Sequence, residues 1–491
     1  MNCLTLSYRG SPATRKFTLR MGLALALGAS VTGCAVGPKY HRPTVKLDPF
    51  HNAPSIETRA AVLPAPRLDQ WWTGFRDPDL TRIVKRALDE NLDLAAAMTR
   101  VQQARAAAQG AGARRMPSGS LYASTTTLSQ STESMTGRLA ANMPGYDRQQ
   151  NYYDLGFIAS WETDLFGGLK KGAQAATAEA QASEALHTGT RITVAAEAAD
   201  AYMQIRGAQA RLSFAKDQIS TNKHLVELVQ QRRDAGIASD RELAQAQALL
   251  SHAKATIPLI RVSLEAQLNR LDVLMGAQPG TYAAELTSLV DIPDVPEISG
   301  FGTPTDLLRR RPDIIAAERL VAASNARIGQ ALAEYYPKLS LSGIAGSQAL
   351  APAHLFQQQG FQPLSVVGLR WRLFDFGRVA AEVEGARGAN AEALLQYRSA
   401  VLRAAEDVEN AFSLLVQSEN RRNEILREIA ELQRVRDLSE ESYAAGVIAL
   451  TDVLDAHRQL LAAKDDLAVA RESAARAAIG SYRALGGGWL P

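Results

Sequence analysis

The 491-residue sequence is poor in the residues that build metal sites, disulfides and compact aromatic cores. It has two cysteines, Cys3 and Cys34, and only 6% aromatic residues. The seven histidines are scattered without metal-ligand spacing, and no nucleophile or phosphate-loop motif is present. We therefore expect no enzyme activity, no metal site and no cofactor other than a covalent lipid. A disulfide framework is also excluded.

Excess positive charge and long apolar runs are also lacking. Lys and Arg number 54 against 51 Asp and Glu, and four of the basic residues fall within residues 1–33, which contain no acidic residue. The remainder is nearly neutral, which excludes the basic surface of a nucleic-acid binder. Beyond residue 33 no run of 18 apolar residues occurs, so the sequence predicts no transmembrane helix. Any part that crosses a membrane would then have to consist of β-strands.

The N-terminus has the pattern of a secretory leader. Basic residues precede an apolar stretch of small residues and leucines, Met21 to Val31, which is too short to remain in a bilayer as a helix. The stretch ends in Val31-Thr32-Gly33-Cys34, which resembles the lipobox of bacterial lipoproteins. We predict cleavage after a signal peptide of residues 1–33, acylation of Cys34, and a lipidated extended segment over residues 34–70. Ala35, in place of an aspartate, favours the outer membrane.

The rest of the chain repeats itself. Residues Trp161 to Gly167 correspond to Trp371 to Gly377 at a spacing of 210, whereas Leu92 to Pro117 correspond to Pro312 to Pro337 at a spacing of 220. The first copy therefore carries about ten extra residues, which we place in a long exposed loop near residues 130–150. Two copies of one pattern predict an internal duplication. The predicted repeats are residues 71–295 and 300–491.

Each repeat reads as a helix, two strands, a very long helix, a tight turn and another helix. The long helices are each about 65 residues, or roughly 100 Å at 1.5 Å per residue, which exceeds a compact domain. The predicted elements are a hairpin near 118–164 with helices 170–234 and 240–275 in the first repeat, and a hairpin near 338–374 with helices 378–443 and 450–484 in the second.

The predicted strands alternate between apolar and polar residues. In 152–162 and 365–373 one face carries Leu, Phe, Val and Trp and the other carries polar or charged residues, which is the pattern of a membrane strand with lipid on one side and water on the other. Residues 118–129 and 338–348 supply a weaker second strand for each repeat. Four strands cannot close around water, and lipid does not tolerate an open edge, so several copies have to share one barrel.

With these features together, the chain resembles the TolC-like outer-membrane efflux lipoproteins, in their OprM/NodT branch. The resemblance runs from about Trp71 to Trp489. Its most specific segments are Phe75-Arg76-Asp77-Pro78-Asp79-Leu80, Ser160 to Gly167, Asp306 to Ile314, Leu373 to Arg378, and Tyr482 to Trp489.

The resemblance implies an α+β membrane protein that works as a homotrimer. Each copy would contribute four strands to a 12-stranded outer-membrane β-barrel that continues into a long periplasmic α-helical barrel. The expected partners are outer-membrane lipid, a periplasmic adaptor (membrane fusion) protein and an inner-membrane RND transporter, with no nucleic acid. The helix tips that match the family's adaptor-docking turns are Gly236-Ile237-Ala238-Ser239 and Gly446-Val447-Ile448-Ala449.

The family's periplasmic gate lies on the helix after the second tip. The matching residues here are Leu450, Thr451, Asp455 and Arg458. Asp455 and Arg458 are three positions apart on one helical face, so they could pair locally or across a copy boundary. Three copies of Asp455 would form a carboxylate ring that disfavours anions. Thr451 replaces a bulkier apolar residue of some relatives, and Leu450 is the candidate for the apolar part of the constriction.

Two other functions fit parts of this pattern. The same barrel could serve as the outer-membrane conduit of a type I protein secretion system. A periplasmic coiled-coil lipoprotein that does not span the membrane would explain the long helices but leaves the alternating strands unexplained. The lipobox and the strands together favour the efflux channel.

Overall fold

A computed structural model describes residues 35–59, 63–299 and 303–489, without the side chain of Leu308. The predicted signal peptide and Cys34 lie outside the described residues. The chain divides into two compact units. The first consists of residues up to 42, 103–180 and 319–394, and the second of residues 43–102, 181–318 and 395–491.

The helices of the described residues follow the order of the two repeats. In chain order they are α1 (Ala53–Glu57), α2 (Pro78–Glu90), α3 (Leu92–Ala113), α4 (Met135–Ala140), α5 (Gly168–Asp234), α6 (Asp240–Leu274), α7 (Pro304–Arg310), α8 (Pro312–Ala333), α9 (Arg378–Ala444) and α10 (Leu450–Ala484). Short 3₁₀ segments occupy Leu68–Phe75, Ala283–Leu286, Pro352–His354 and Gln358–Gly360.

The two repeats have helices of equal length. Helices α5 and α9 each contain 67 residues, and α6 and α10 each contain 35. Neither 67-residue helix contains a proline, which would remove a backbone donor and clash with the preceding turn. Helix α6 continues through Pro258. None of the helices in the described part of the chain has an apolar stretch long enough to cross a membrane.

The first unit contains a four-stranded antiparallel sheet in the order β1-β2-β3-β4. The strands are β1 (Ser118–Ser129), β2 (Gln149–Glu162), β3 (Lys338–Ala349) and β4 (Leu364–Arg370). Each repeat supplies one hairpin, and β2 joins the hairpins by pairing with β3, with Trp161 opposite Leu341. Within the described residues, β1 and β4 each have a partner strand on one side only.

One sequence-based boundary in this unit is wrong. The strand predicted over 365–373 ends at Arg370, because β3 begins at Lys338 and offers no backbone partner beyond it. The insertion predicted near residues 130–150 connects β1 to β2, as the sequence indicates. It contains α4, which starts where the Ser134 side chain accepts a hydrogen bond from the Gly137 N–H at 3.0 Å.

The main apolar core belongs to the second unit. Trp71 is fully buried and its ring stacks on Tyr482, with centroids 5.4 Å apart and planes 9° from parallel. Small residues of α5 and α10, mostly alanines, surround this stack and allow helix axes to approach closely. On α9, Val401, Val408 and Phe412 form a buried stripe along one face of the helix.

Candidate functional site

One face of the sheet is apolar and exposed. Leu121 of β1, Phe157 of β2 and Ala345 of β3 lie side by side across the sheet, since Leu121 is opposite Phe157 and Phe157 is opposite Ala345. On β4, Val367 and Leu369 remain 71% and 68% exposed. A contiguous apolar face of this kind marks a surface that is covered in the working protein.

The other face of the sheet is polar. It presents Lys338 and Arg370 as an opposing pair, followed by serines along β3, and Asp154 of β2 accepts a hydrogen bond from Gln348 at 2.8 Å. Alternate residues of the same strands therefore face two different environments. This is the alternation that the sequence predicts for 152–162 and for the first part of 365–373.

The chain just after the predicted lipidation site is fixed at the end of this sheet. The Val36 N–H donates to the Phe166 carbonyl at 3.1 Å, and the Pro38 carbonyl accepts from Lys171 Nζ at 3.3 Å. Phe166 stacks on Tyr336 with ring centroids 4.5 Å apart. Residues 36–38 therefore lie against the start of α5.

The two predicted docking tips are tight reversals between long helices. Gly236 and Gly446 have φ values of +72° and +75°, a conformation that costs other residues about 1–2 kcal/mol. In the first tip the N–H groups of Gly236 and Ile237 donate to Arg233 and Arg232 carbonyls, both at 2.8 Å. The second tip repeats the pattern with Tyr443 and Ser442 as acceptors. Both are Schellman turns, which hold the reversal rigidly.

The tips differ in how the following helix is capped. At the first tip the Ser239 Oγ accepts from the Glu242 N–H at 3.3 Å, and the Glu242 carboxylate accepts from the Ser239 N–H at 2.7 Å. These bonds hold the pKa of Glu242 below its ordinary value. The second tip has Ala449 at this position and keeps only the Ala449 N–H to Asp452 bond at 3.3 Å. The first tip therefore has the stronger cap.

Each tip presents one apolar side chain outward and turns one inward. Ile237 and Val447, at corresponding positions, are 67% and 76% exposed. Ala238 and Ile448 instead pack on a small apolar cluster that includes Leu225, Val229, Ala246, Tyr443, Leu450 and Val453, which we call the tip core. The Arg232 guanidinium lies over the Tyr443 ring at 4.4 Å, so the tips of one chain are joined to each other.

The predicted gate residues Asp455 and Arg458 form a local ion pair on α10. Asp455 also accepts from Gln459 Nε2 at 2.5 Å. The Arg458 side chain is 69% exposed, and Thr451 is exposed as well. The structure thus brings Asp455 and Arg458 together within one chain. Their role as a gate stays a prediction.

Leu450 does not fit the role that the sequence suggests for it. Its side chain is only 1% exposed, because it fills the tip core between α5, α9 and α10. A side chain that is buried within one chain has no free surface to line a passage. The prediction that Leu450 forms the apolar part of the constriction is therefore corrected to a core position.

The second unit contains a buried ionic cluster that the sequence pattern did not predict. Arg206 of α5 is fully buried and donates to Tyr202 Oη, Gln209 Oε1, the Ser288 carbonyl and Asp79 Oδ2 at 2.8–3.0 Å. Tyr202 Oη in turn donates to Asp77 Oδ2 at 2.6 Å, and Asp77 caps α2. Two features of the sequence could have pointed to this cluster: an arginine within an apolar stretch of α5, and the Asp77-Pro78-Asp79 motif. Their pairing is a tertiary contact.

The described residues contain no cluster of three or more His, Cys, Asp or Glu side chains that could hold a metal ion. His457, one of the scattered histidines, is buried in α10 and contacts Glu440 of α9, with Nε2 and Oε1 2.7 Å apart.

Known proteins are similar to this chain in sequence and in fold. The family model described as outer membrane efflux protein matches residues 83–277 and 303–487. The chain belongs to the outer membrane efflux protein family. The pyoverdine export outer membrane protein OpmQ of Pseudomonas aeruginosa is 31% identical over 86% of this chain and 87% of its own length.

Solved structures of outer-membrane channels share the fold. OprN superposes with a TM-score of 0.84 at 31% identity, covering 93% of this chain and all of that one. The open-state channel MtrE of Neisseria gonorrhoeae gives a TM-score of 0.80 at 26% identity, covering 93% and 99%. This outer membrane efflux protein is thus the outer-membrane channel of an efflux pump, as the sequence predicts.

Proposed function

We propose that the chain works as one third of a homotrimer. Three copies place twelve strands in one outer-membrane barrel, and their helices form a tunnel in the periplasm. Acyl chains on Cys34 anchor each copy in the membrane, and several chains per copy give durable attachment. Small molecules pass through this conduit from an inner-membrane RND transporter by way of a periplasmic adaptor.

The main observation that supports this proposal is that the sheet of a single copy has unpaired edge strands. Among the residues that the structure describes, the sheet has two open edges, at β1 and β4, and an exposed face with Leu121 at 75% and Val367 at 71% exposure. In lipid every backbone polar group needs a partner, so an open edge is excluded. Closure by further copies satisfies the edges and leaves the apolar face toward lipid.

The tips are the proposed contact with the adaptor. Both are rigid turns, so docking costs little ordering of the backbone. Each presents one exposed apolar residue, Ile237 or Val447, with glycine beside it and no side chain over it. Three copies offer six such turns, which suits an adaptor made of repeated hairpins.

The gate is proposed to consist of Asp455 and Arg458 from each copy. The local pair leaves Arg458 mostly exposed, so the guanidinium is free to reach a second carboxylate when copies converge. An exposed pair alone contributes under about 1 kcal/mol. The proposed role of the ion pair is therefore to restrict passage. Its removal should alter the conductance of the channel far more than the free energy of unfolding.

Two measurements on the detergent-purified protein test this function: its mass in detergent and its single-channel conductance in planar bilayers. We expect a trimer with small, mostly closed events, and larger events after Asp455→Ala with Arg458→Ala. The matched control is Glu424→Ala with Arg427→Ala, which removes an exposed pair of the same spacing on α9, 2.7 Å apart.

The outcomes separate the parts of the proposal. A water-soluble monomer without conductance would overturn the channel assignment. A conducting trimer whose events are equally small in both double variants would remove the gate and leave the channel.

A further inference from the structure

A cavity of about 220 Å³ lies between three helices of the second unit, α5, α6 and α10. Its larger apolar side chains are Phe214 of α5, Leu249 and Ile260 of α6, and Leu461 of α10. On each helix the lining residues recur at spacings of three and four, so one face of each helix turns toward the cavity. All of the lining residues come from one chain, so a single copy is enough to form the cavity.

The internal repeat shows why this helix pair has a cavity. At the spacing of 210 residues, α5 and α6 correspond to α9 and α10. Ala215 of α5 corresponds to Ile425 of α9, and both side chains are buried, at 7% exposure. Ile425 fills the space between its own helices by packing with Leu460 and Ala463 of α10. The shorter side chain of Ala215 leaves room in the corresponding place between α5 and α6.

Two apolar residues of the lining also depart from the repeat. Phe214 and Leu249 are half-buried, and they correspond to Glu424 and Gln459. The Glu424 side chain is 70% exposed, and Gln459 is exposed as well. The second helix pair thus forms with polar, solvated residues at these positions. The apolar walls of the cavity are therefore not required for pairing the helices.

The charged side chains of the lining favour an anionic ligand. Asp465 is already paired, because Arg211 donates from Nε and Nη2 to its two carboxylate oxygens at 2.7 and 2.9 Å. Arg458 is 69% exposed and uses Nη2 to donate to Asp455. A guanidinium has several further N–H donors in a fixed plane, so Arg458 can also bind a carboxylate from solution. A cationic ligand would find the carboxylate of the lining occupied by Arg211.

The volume of the cavity limits the ligand to a small molecule. Pockets for drug-sized ligands have about 300–1,000 Å³, whereas an apolar cavity of about 150 Å³ accepts benzene. A single aromatic ring with a short polar group therefore suits a cavity of about 220 Å³. The Phe214 ring lines the cavity and offers an offset or edge-to-face contact to such a ring.

We propose that this cavity binds a small aromatic carboxylate. The ring of the ligand lies among Phe214, Leu249 and Leu461, and its carboxylate accepts hydrogen bonds from Arg458. The ligand joins α6 to α10 close to the tips, since Leu249 also packs on the tip core. The site goes beyond the channel function, and it does not depend on how many copies assemble.

Saturation-transfer NMR on the detergent-purified full chain tests this site, with benzoate as the probe. Benzamide and benzylamine are the matched compounds, because they keep the ring and replace the anion by a neutral amide or a cation. Benzoate should bind about tenfold or more tightly than either compound, because hydrogen bonds to charged groups are the stronger ones. Equal binding of all three compounds would overturn the assignment of an anion site.

Two variants separate the cavity from the detergent micelle and from other surfaces. Ala215→Ile introduces the side chain that Ile425 has in the second repeat and should abolish benzoate binding by filling the cavity. Arg458→Gln should weaken benzoate binding about tenfold or more. Arg427→Gln, at an exposed arginine of α9, is the matched control and should leave binding unchanged. Equal benzoate signals in the native chain and in the first two variants would refute the site.

Thermal unfolding gives a second readout. Benzoate should raise the unfolding midpoint of the native chain by mass action and should not raise that of Ala215→Ile. If Ala215→Ile does not fold, Arg458→Gln decides, because its side chain is mostly exposed and its removal leaves the helices packed. A chain that conducts ions in bilayers but does not bind benzoate would refute the site and leave the proposed channel standing.

Discussion

Removal of Arg206 should be among the most damaging single changes in the second unit. The side chain is fully buried and donates four hydrogen bonds of 2.8–3.0 Å. Of its acceptors, Asp79 keeps a bond from Arg82 at 2.9 Å and is one-third exposed, so its charge stays partly solvated. The Gln209 Oε1 and the Ser288 carbonyl would each lose the bond from Arg206.

The size of the effect follows from these contacts. Each buried acceptor that loses its partner costs about 1–3 kcal/mol, and the lost packing of the arginine stem adds to this. Arg206→Ala should therefore lower the free energy of unfolding by about 3–5 kcal/mol, the range for breaking a buried pair. Tyr202→Phe removes only the hydroxyl between Asp77 and Arg206 and should cost about 1–3 kcal/mol.

Denaturant unfolding of the purified protein, followed by the circular dichroism of its helices, measures these differences in the free energy of unfolding. They follow from the shift of the unfolding midpoint when the slope stays constant. Arg427→Ala is the matched control, because its pair with Glu424 is 75% and 70% exposed and should contribute under about 1 kcal/mol. An Arg206→Ala variant as stable as the Arg427→Ala variant would refute the reasoning that burial makes this cluster costly to break.

Three further predictions concern the tips and the caps. Gly446→Arg should abolish efflux in cells while assemblies persist. Gly446→Ala, which adds backbone strain alone, and Gly145→Arg, at a loop glycine with φ +82° and open space, should keep efflux. Equal loss of efflux in all three variants would contradict docking at the tip. Ser239→Ala should destabilise the first tip and Ala449→Ser stabilise the second, each by about 0.5–2 kcal/mol, as amide exchange at the start of α6 and α10 would report. Because the pKa of Glu242 is lowered in the folded tip, its cap contributes stability above the ordinary carboxyl pKa and loses it as the pH falls through the lowered value. The protection factor at the first tip, which corrects the exchange rate for its intrinsic pH dependence, should therefore fall on acidification in the native protein and not in Glu242→Gln.

The sequence by itself determined the elements and their order. Spacing of apolar residues and the absence of proline define α5 and α9, and glycine followed by a new helical pattern places the reversals at Gly236 and Gly446. These are local properties, since helix periodicity and positive φ depend on neighbours along the chain. The duplication was equally visible, because its two spacings can be counted without a structure.

Only the tertiary structure decided which residues meet. Arg206 finds Asp79, Tyr202 and Ser288 through the packing of α5 on other segments, and Leu450 proves buried although it begins a helix beside exposed positions. The end of β4 at Arg370 depends on where β3 begins. Such outcomes are set by contacts between residues far apart in sequence, whose energies depend on burial and on the partner's position, and no local pattern encodes either.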